Sequence, residues 1–202
     1  MSSEQREAQR LDISRHAVRL FAEHGVAATS GEQIAREAGV SERTLWRHFR
    51  TKESCVEPLL TKVVDAFREV LHAWPAGTDL TEHLRAAYRP LLESSSGTDI
   101  EAVHAVVRLT RDEPALRAAY LMLRERAEDT FAEVLAERMA LPAASFEVRA
   151  QAAAMNAVLK VAADRLADDT ADTGMTPEIL RRHREQLAGA ISLITQGMPN
   201  KG

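Results

Sequence analysis

Apolar residues in this chain recur three and four apart and nowhere sustain the every-second-residue alternation of a half-buried strand, so helices are its building material. In LDISRHAVRLFAEHG, Ile13, Ala17, Leu20 and Phe21 fall at i, i+4, i+7 and i+8, one face of a helix that Gly25 stops. TSGEQIAREAG opens on Thr29 or Ser30 as N-cap, with Glu32 or Gln33 as the reciprocal partner, turns Ile34, Ala35 and Ala38 inward, and stops at Gly39. Ser41 caps a third segment that runs to about Phe49 before RTK breaks it. Three short helices within the first fifty residues describe a small head.

From Thr51 a fourth helix is expected to reach about Trp74, where Pro75 and Gly77 end it. Pro58 lies inside this segment and would kink it if it fell beyond the first turn. Five further helices are expected at about 78–94, 98–111, 113–140, 143–169 and 176–196, separated by ESSSGTD, Pro114, LPAAS and DDTADTGMTP. Thr176 and Pro177 suit N-cap and N1 of the last. The expected fold is all-α with about nine helices. Residues 1–50 are expected to form a three-helix head, and 51–202 a helical body.

Charge points to where a polyanion would bind. The net charge of −4 hides a head with nine Lys and Arg against eight Asp and Glu over residues 1–55, and a body with 17 against 22. Within 41–52, Arg43, Arg47, Arg50 and Lys52 face only Glu42. The single Cys55 cannot form an internal disulfide, which fits a reducing compartment. A polar start without the apolar core of a signal peptide, and no run of roughly 18 apolar residues, predict a cytoplasmic protein without a membrane span. Seven histidines stand scattered at 16, 24, 48, 72, 83, 104 and 183. No H-E-x-x-H, G-x-S-x-G or G-x-x-x-x-G-K motif accompanies them, so neither catalysis nor a metal or other cofactor is expected.

In the third helix, inward Leu45 and Phe49 leave Arg43 and Arg47 pointing most directly outward at about 100° per residue, with Trp46 at one edge and Thr44 and His48 at the other. The planar guanidinium fork can grip guanine O6 and N7 together in a major groove, while Thr, His, Lys and the Trp indole N–H suit phosphates. The GVS turn between Gly39 and the next helix has the brevity of a helix-turn-helix.

LFAEHG followed by IAREAGVSERTLWRHFRTKE closely resembles the N-terminal DNA-binding domain of TetR-family transcriptional regulators, over about residues 10–55. The resemblance implies that Glu42, Arg43 and Arg47 read bases, and that Thr44, Trp46, His48 and Lys52 contact phosphates, together with Thr29 and Ser30 at the start of the second helix. Position 46 is commonly tyrosine in that family; the tryptophan here keeps a donor and loses an acceptor. Glu42 can accept from cytosine N4 or serve the helix N-terminus electrostatically.

One short helix reads too few base pairs to single out a genomic site, so a two-fold homodimer on a palindromic double-stranded operator is expected. The eighth and ninth helices supply the interface, with Leu180, Leu187, Gly189, Ile191 and Ile194 as its candidates. The resemblance further implies that residues 1–50 are a helix-turn-helix DNA-binding domain and 51–202 a helical effector-binding and dimerisation domain, with a pocket for an unknown small molecule. Phe67, Tyr88, His104, Arg108, Tyr120 and Asn156 are its candidate residues, polar or aromatic interruptions of apolar patterns. The expected function is a repressor released from its operator by that effector. The alternatives are an effector-free dimeric DNA-binding regulator, or a helical enzyme.

Overall fold

The computed structural model describes residues 2–75, 77–94 and 97–195, with 88–94, 97 and 98 in backbone only. Among the described residues there are nine α-helices and no strand. They are α1 Ser3–His24, α2 Gly31–Glu37, α3 Glu42–His48, α4 Glu57–His72, α5 Leu80–Ser94, α6 Gly97–Leu109, α7 Pro114–Met139, α8 Phe146–Asp169 and α9 Pro177–Thr195.

Local chemistry places the first three. The Ser2 hydroxyl accepts from the Gln5 N–H and the Gln5 side chain accepts from the Ser2 N–H, so α1 starts on a closed capping box. Gly25, at φ +82°, ends it. Ser30 and Gln33 repeat the box at α2. Gly39, at φ +64°, reverses the chain, and the Val40 N–H reaches back to the Ala35 carbonyl at 2.9 Å. Ser41 then caps α3, so the helix-turn-helix follows from two serines and one left-handed glycine.

The fourth helix starts later than the sequence suggests. Glu53–Val56 forms a 3-10 turn, and α4 proper begins at Glu57. Pro58 therefore sits in the first turn, where its missing N–H forfeits no intrahelical bond, and the expected kink has no cause.

Two compact units divide the chain, Met1–Val63 with Thr98–Leu123, and Val64–Gly97 with Arg124–Gly202. In the first, Ile13, Phe21, Ile34, Leu45, Leu59, Val106 and Leu116 are buried. A charge cluster sits beside this apolar core. Asp99 of α6, only 3% exposed, accepts from Arg15 Nε and Nη2 of α1 at 2.6 and 2.8 Å, and from Lys62 Nζ of α4 at 2.7 Å. Arg15's hydrogen bonds chiefly, and Lys62's besides, hold this carboxyl well below the usual carboxylate range against the opposing effect of burial. In the second unit, Phe67 meets Phe131 edge-on at 5.6 Å among Leu84, Leu135, Met155, Leu187 and Ile191. There α9 packs on both α5 and α8.

Candidate nucleic-acid interface

The seam that seats α3 is the pair Leu45 and Phe49, four apart and both buried. Fully burying one such side chain contributes about 1.5–3 kcal/mol, enough to fix a two-turn helix that could not persist alone. With the seam inward, Glu42, Arg43, Trp46 and Arg47 are exposed, and Thr44 and His48 are half-buried. The outward face is the one that helical geometry predicts from the sequence.

The cations around this face divide into spent and available. Arg15 is bound to Asp99, and Arg19 to Glu23 and Glu37. Arg10 lies over the Phe49 ring, 5.2 Å from its centroid. Arg43 and Arg47 are exposed, and among the described residues no ion pair claims either. Their guanidinium groups point to solvent with their planar donor sets uncommitted, as recognition of a phosphate or a guanine edge requires.

Five of the six residues expected at phosphates make side-chain hydrogen bonds within the chain. Lys52 Nζ donates to the carbonyls of Val26, Thr29 and Ala27, at 2.6, 2.8 and 3.5 Å, so its ammonium ties down the turn between α1 and α2. The Thr29 hydroxyl is buried and donates to the Gly25 carbonyl at 2.8 Å and to that of Leu20 at 3.3 Å. His48 Nε2 donates to Gln9 Oε1 of α1 at 3.0 Å. Burial first, then the charges of Arg47, Arg10 and Arg6, lower its pKa and keep the ring neutral at neutral pH. Ser30 is exposed but its hydroxyl caps α2, and the Thr44 hydroxyl pairs with Ser41 Oγ at 3.0 Å. Trp46 lies against Gly31 at the start of α2 and keeps 44% exposure.

Arg6 and Arg10 were not singled out from the sequence, yet both act electrostatically on His48 and so belong to the same basic surface. Their one local sign is the i, i+4 spacing on α1, more than thirty positions before α3.

The residues expected in an effector pocket fall in both units. His104, Arg108 and Tyr120 belong to the first, Phe67 and Asn156 to the second; the side chain of Tyr88 lies outside the described residues. Phe67 is a core aromatic. The Asn156 amide donates to the Arg124 carbonyl at 3.0 Å, while Asn156 Oδ1 and Gln151 Oε1, both on α8, are buried acceptors without a partner among the described residues. A cavity of about 200 Å³ lies against Leu71, Trp74, Val134 and Arg138, and among the described residues no candidate side chain lines it.

Of the expected interface residues, Leu187 and Ile191 are wholly buried within the chain's own core, which Ile194 also partly covers. They have no surface left for a partner. Leu180 and Gly189 are half-buried, and a Cβ added at Gly189 would meet nothing within 4 Å. Among the described residues the exposed large apolar side chains of α8 and α9 are Phe146, Val161 and Leu193, at 83%, 66% and 71%, none of them among the expected contacts. Among the described residues no three His, Cys, Asp or Glu gather to hold a metal, and no helix is long and apolar enough to cross a membrane.

Residues 13–59 match the family model of the bacterial regulatory proteins of the tetR family, and residues 78–192 match that of the MftR C-terminal domain. The HTH-type transcriptional regulator TcmR of Streptomyces glaucescens is 32% identical over 62% of this chain and 58% of its own length. The HTH-type transcriptional repressor KstR2 of Rhodococcus jostii is 35% identical over 54% of this chain and 50% of its own. The chain thus spans about half the length of the curated relatives it matches. Among solved structures, Thermus thermophilus FadR in complex with lauroyl-CoA superposes with a TM-score of 0.54 at 24% identity, covering 96% of each chain, a likeness of fold.

Proposed function

The chain belongs to the TetR family of transcriptional regulators, and from that membership and its basic α3 face we propose a dimeric regulator that binds a palindromic operator and is released by a small molecule. The observation that carries this reading is the exposed Arg43 and Arg47 pair, held outward by buried Leu45 and Phe49. In this reading Arg43, Arg47 and Glu42 meet base edges, and Trp46 contacts phosphate beside them. Arg6 and Arg10 add long-range attraction. Lys52 and Thr29 hold the turn between α1 and α2, and His48 ties α3 to α1, instead of touching DNA. Residues 1–50 carry the DNA contacts, with the remainder dimerising and binding the effector.

Release by a small molecule is supported by two things. KstR2 is a repressor, and the FadR structure holds an acyl-CoA. In this chain, Asn156 Oδ1 and Gln151 Oε1 are buried without donors among the described residues, and such an acceptor costs roughly 1–3 kcal/mol until a donor arrives. Dimerisation is proposed through α8 and α9 by way of Val161, Leu180, Gly189 and Leu193.

Selection from a random duplex library with the full chain tests the reading. A palindrome with half-sites about 34–36 Å apart is expected, with affinity falling steeply as salt rises. Enrichment of no sequence, or of a single unrepeated half-site, would overturn it.

A further inference from the structure

Leu45 and Phe49 lie four apart, almost in line along one side of α3, and two points in line leave a two-turn helix free to roll about its own axis. Roll matters to reading. With side chains about 5–6 Å from the axis, a roll of roughly 15° carries a guanidinium about 1.5 Å, beyond the ~0.5 Å within which a recognition geometry must be held. The His48–Gln9 hydrogen bond braces one side of that line, and a support on its other side is needed to hold the roll.

Trp46, one residue beyond Leu45 and about 100° round the helix, provides it. Its indole lies on the backbone of Gly31, the first residue of α2, so closely that a Cβ at position 31 would stand 2.1 Å from Cζ2 and 2.6 Å from Cη2. No side chain fits there while the ring stays in place. Gly31 has an ordinary helical backbone with no positive φ, so this glycine is required by the neighbour and not by the chain conformation. Filling the position would not break the helices: the indole is 44% exposed and can swing outward on its two side-chain torsions.

We propose that Gly31 is a positioning residue for DNA reading, an empty seat that receives the Trp46 ring and so fixes the roll of α3 and the direction in which Arg43 and Arg47 leave it. The proposal rests on the DNA-binding reading above. It assigns Trp46 a steric task in addition to any phosphate contact. It also makes residues 31 and 46 a matched pair, in which the size of one sets what the other can be.

The test is a double-mutant cycle on the full chain, read as affinity for the selected operator and for a scrambled duplex of the same length. Gly31→Ala should weaken operator binding about tenfold, within the range for one lost bidentate base contact, while leaving the scrambled duplex within about twofold. Its thermal midpoint should not fall, since alanine favours a helix over glycine. In the Trp46→Phe background, where the atoms that meet the new methyl are gone, the same substitution should cost less than about twofold. An equal factor in both backgrounds, or an unchanged preference for operator over scrambled DNA in Gly31→Ala, would overturn the proposal. Failure of the wild-type chain to bind any duplex would instead overturn the reading beneath it.

Discussion

Replacing Asp99 with asparagine removes the charge on which α1 and α4 converge. Three hydrogen bonds of 2.6–2.8 Å run from Arg15 and Lys62 to a carboxylate whose side chain is 4% exposed. Removing one member of a buried ion pair costs about 3–5 kcal/mol when the other is stranded. Arg15 and Lys62 are not stranded, because their side chains are 42% and 40% exposed and regain water when released. That places Asp99→Asn below the range, at about 2–3 kcal/mol. Arg15→Ala leaves the Lys62 bond and should cost less, about 1–2 kcal/mol. Urea unfolding at one fixed protein concentration reads both. Acidity supplies the check on cause. The folded carboxyl titrates below its unfolded value of about 3.9, so its stabilisation is complete above about pH 5 and is lost as pH falls toward the folded value. The gap between wild type and Asp99→Asn should close by about 1.4 kcal/mol for each pH unit below 4. Equal stabilities at pH 7, or a gap that survives at pH 2, would refute the reasoning.

Arg47→Ala should cost about 1–3 kcal/mol of operator affinity and relax preference at one position of each half-site, read by repeating the duplex selection. Lys52→Ala should lower the unfolding free energy by about 1–3 kcal/mol by freeing the carbonyls of Val26 and Thr29, where loss of a pure phosphate contact would leave stability unchanged. Burial pushes the His183 imidazole down to about 4, so the unfolded chain takes up its proton first as pH falls below about 6.5. Wild type should therefore lose about 1.4 kcal/mol per pH unit from 6.5 toward 4, and His183→Leu should lack that slope in the same urea series. Leu193→Glu, on an exposed side chain, should give a folded monomer in sedimentation at micromolar concentration; a persistent dimer would remove α9 from the interface.

The reading face of α3 was legible because everything that sets it is local. Ser41 caps the helix, Leu45 and Phe49 mark its inner side by spacing, and the outer residues follow by rotation. Gly39 announced the turn before it for the same reason, since positive φ is a property of one residue. The start of α4 was less legible: Thr51 has the chemistry of a cap, but its side chain serves the Ser54 N–H within a 3-10 turn, and the helix begins six residues later. Partners distant in sequence left no sign. Asp99 meets Arg15 across 84 positions and Lys62 across 37, and nothing in a string of residues pairs those charges. The helical period of α9 showed which residues share a face, but not whether the chain or a second copy covers it; for Leu187 and Ile191 the chain does.

The same limit explains the basic stretch. A count of charges treats Lys52 and Arg47 alike, since each is a cation within one short run. An ammonium on a flexible stem can bend back into three carbonyls, and Lys52 is placed beside the turn between α1 and α2 that presents them. Arg47, five residues earlier, projects from the side of α3 opposite its buried seam and has no such turn within reach. Binding charge is therefore set by what each cation can reach inside the fold before DNA arrives. A positive run in sequence gives only its upper bound.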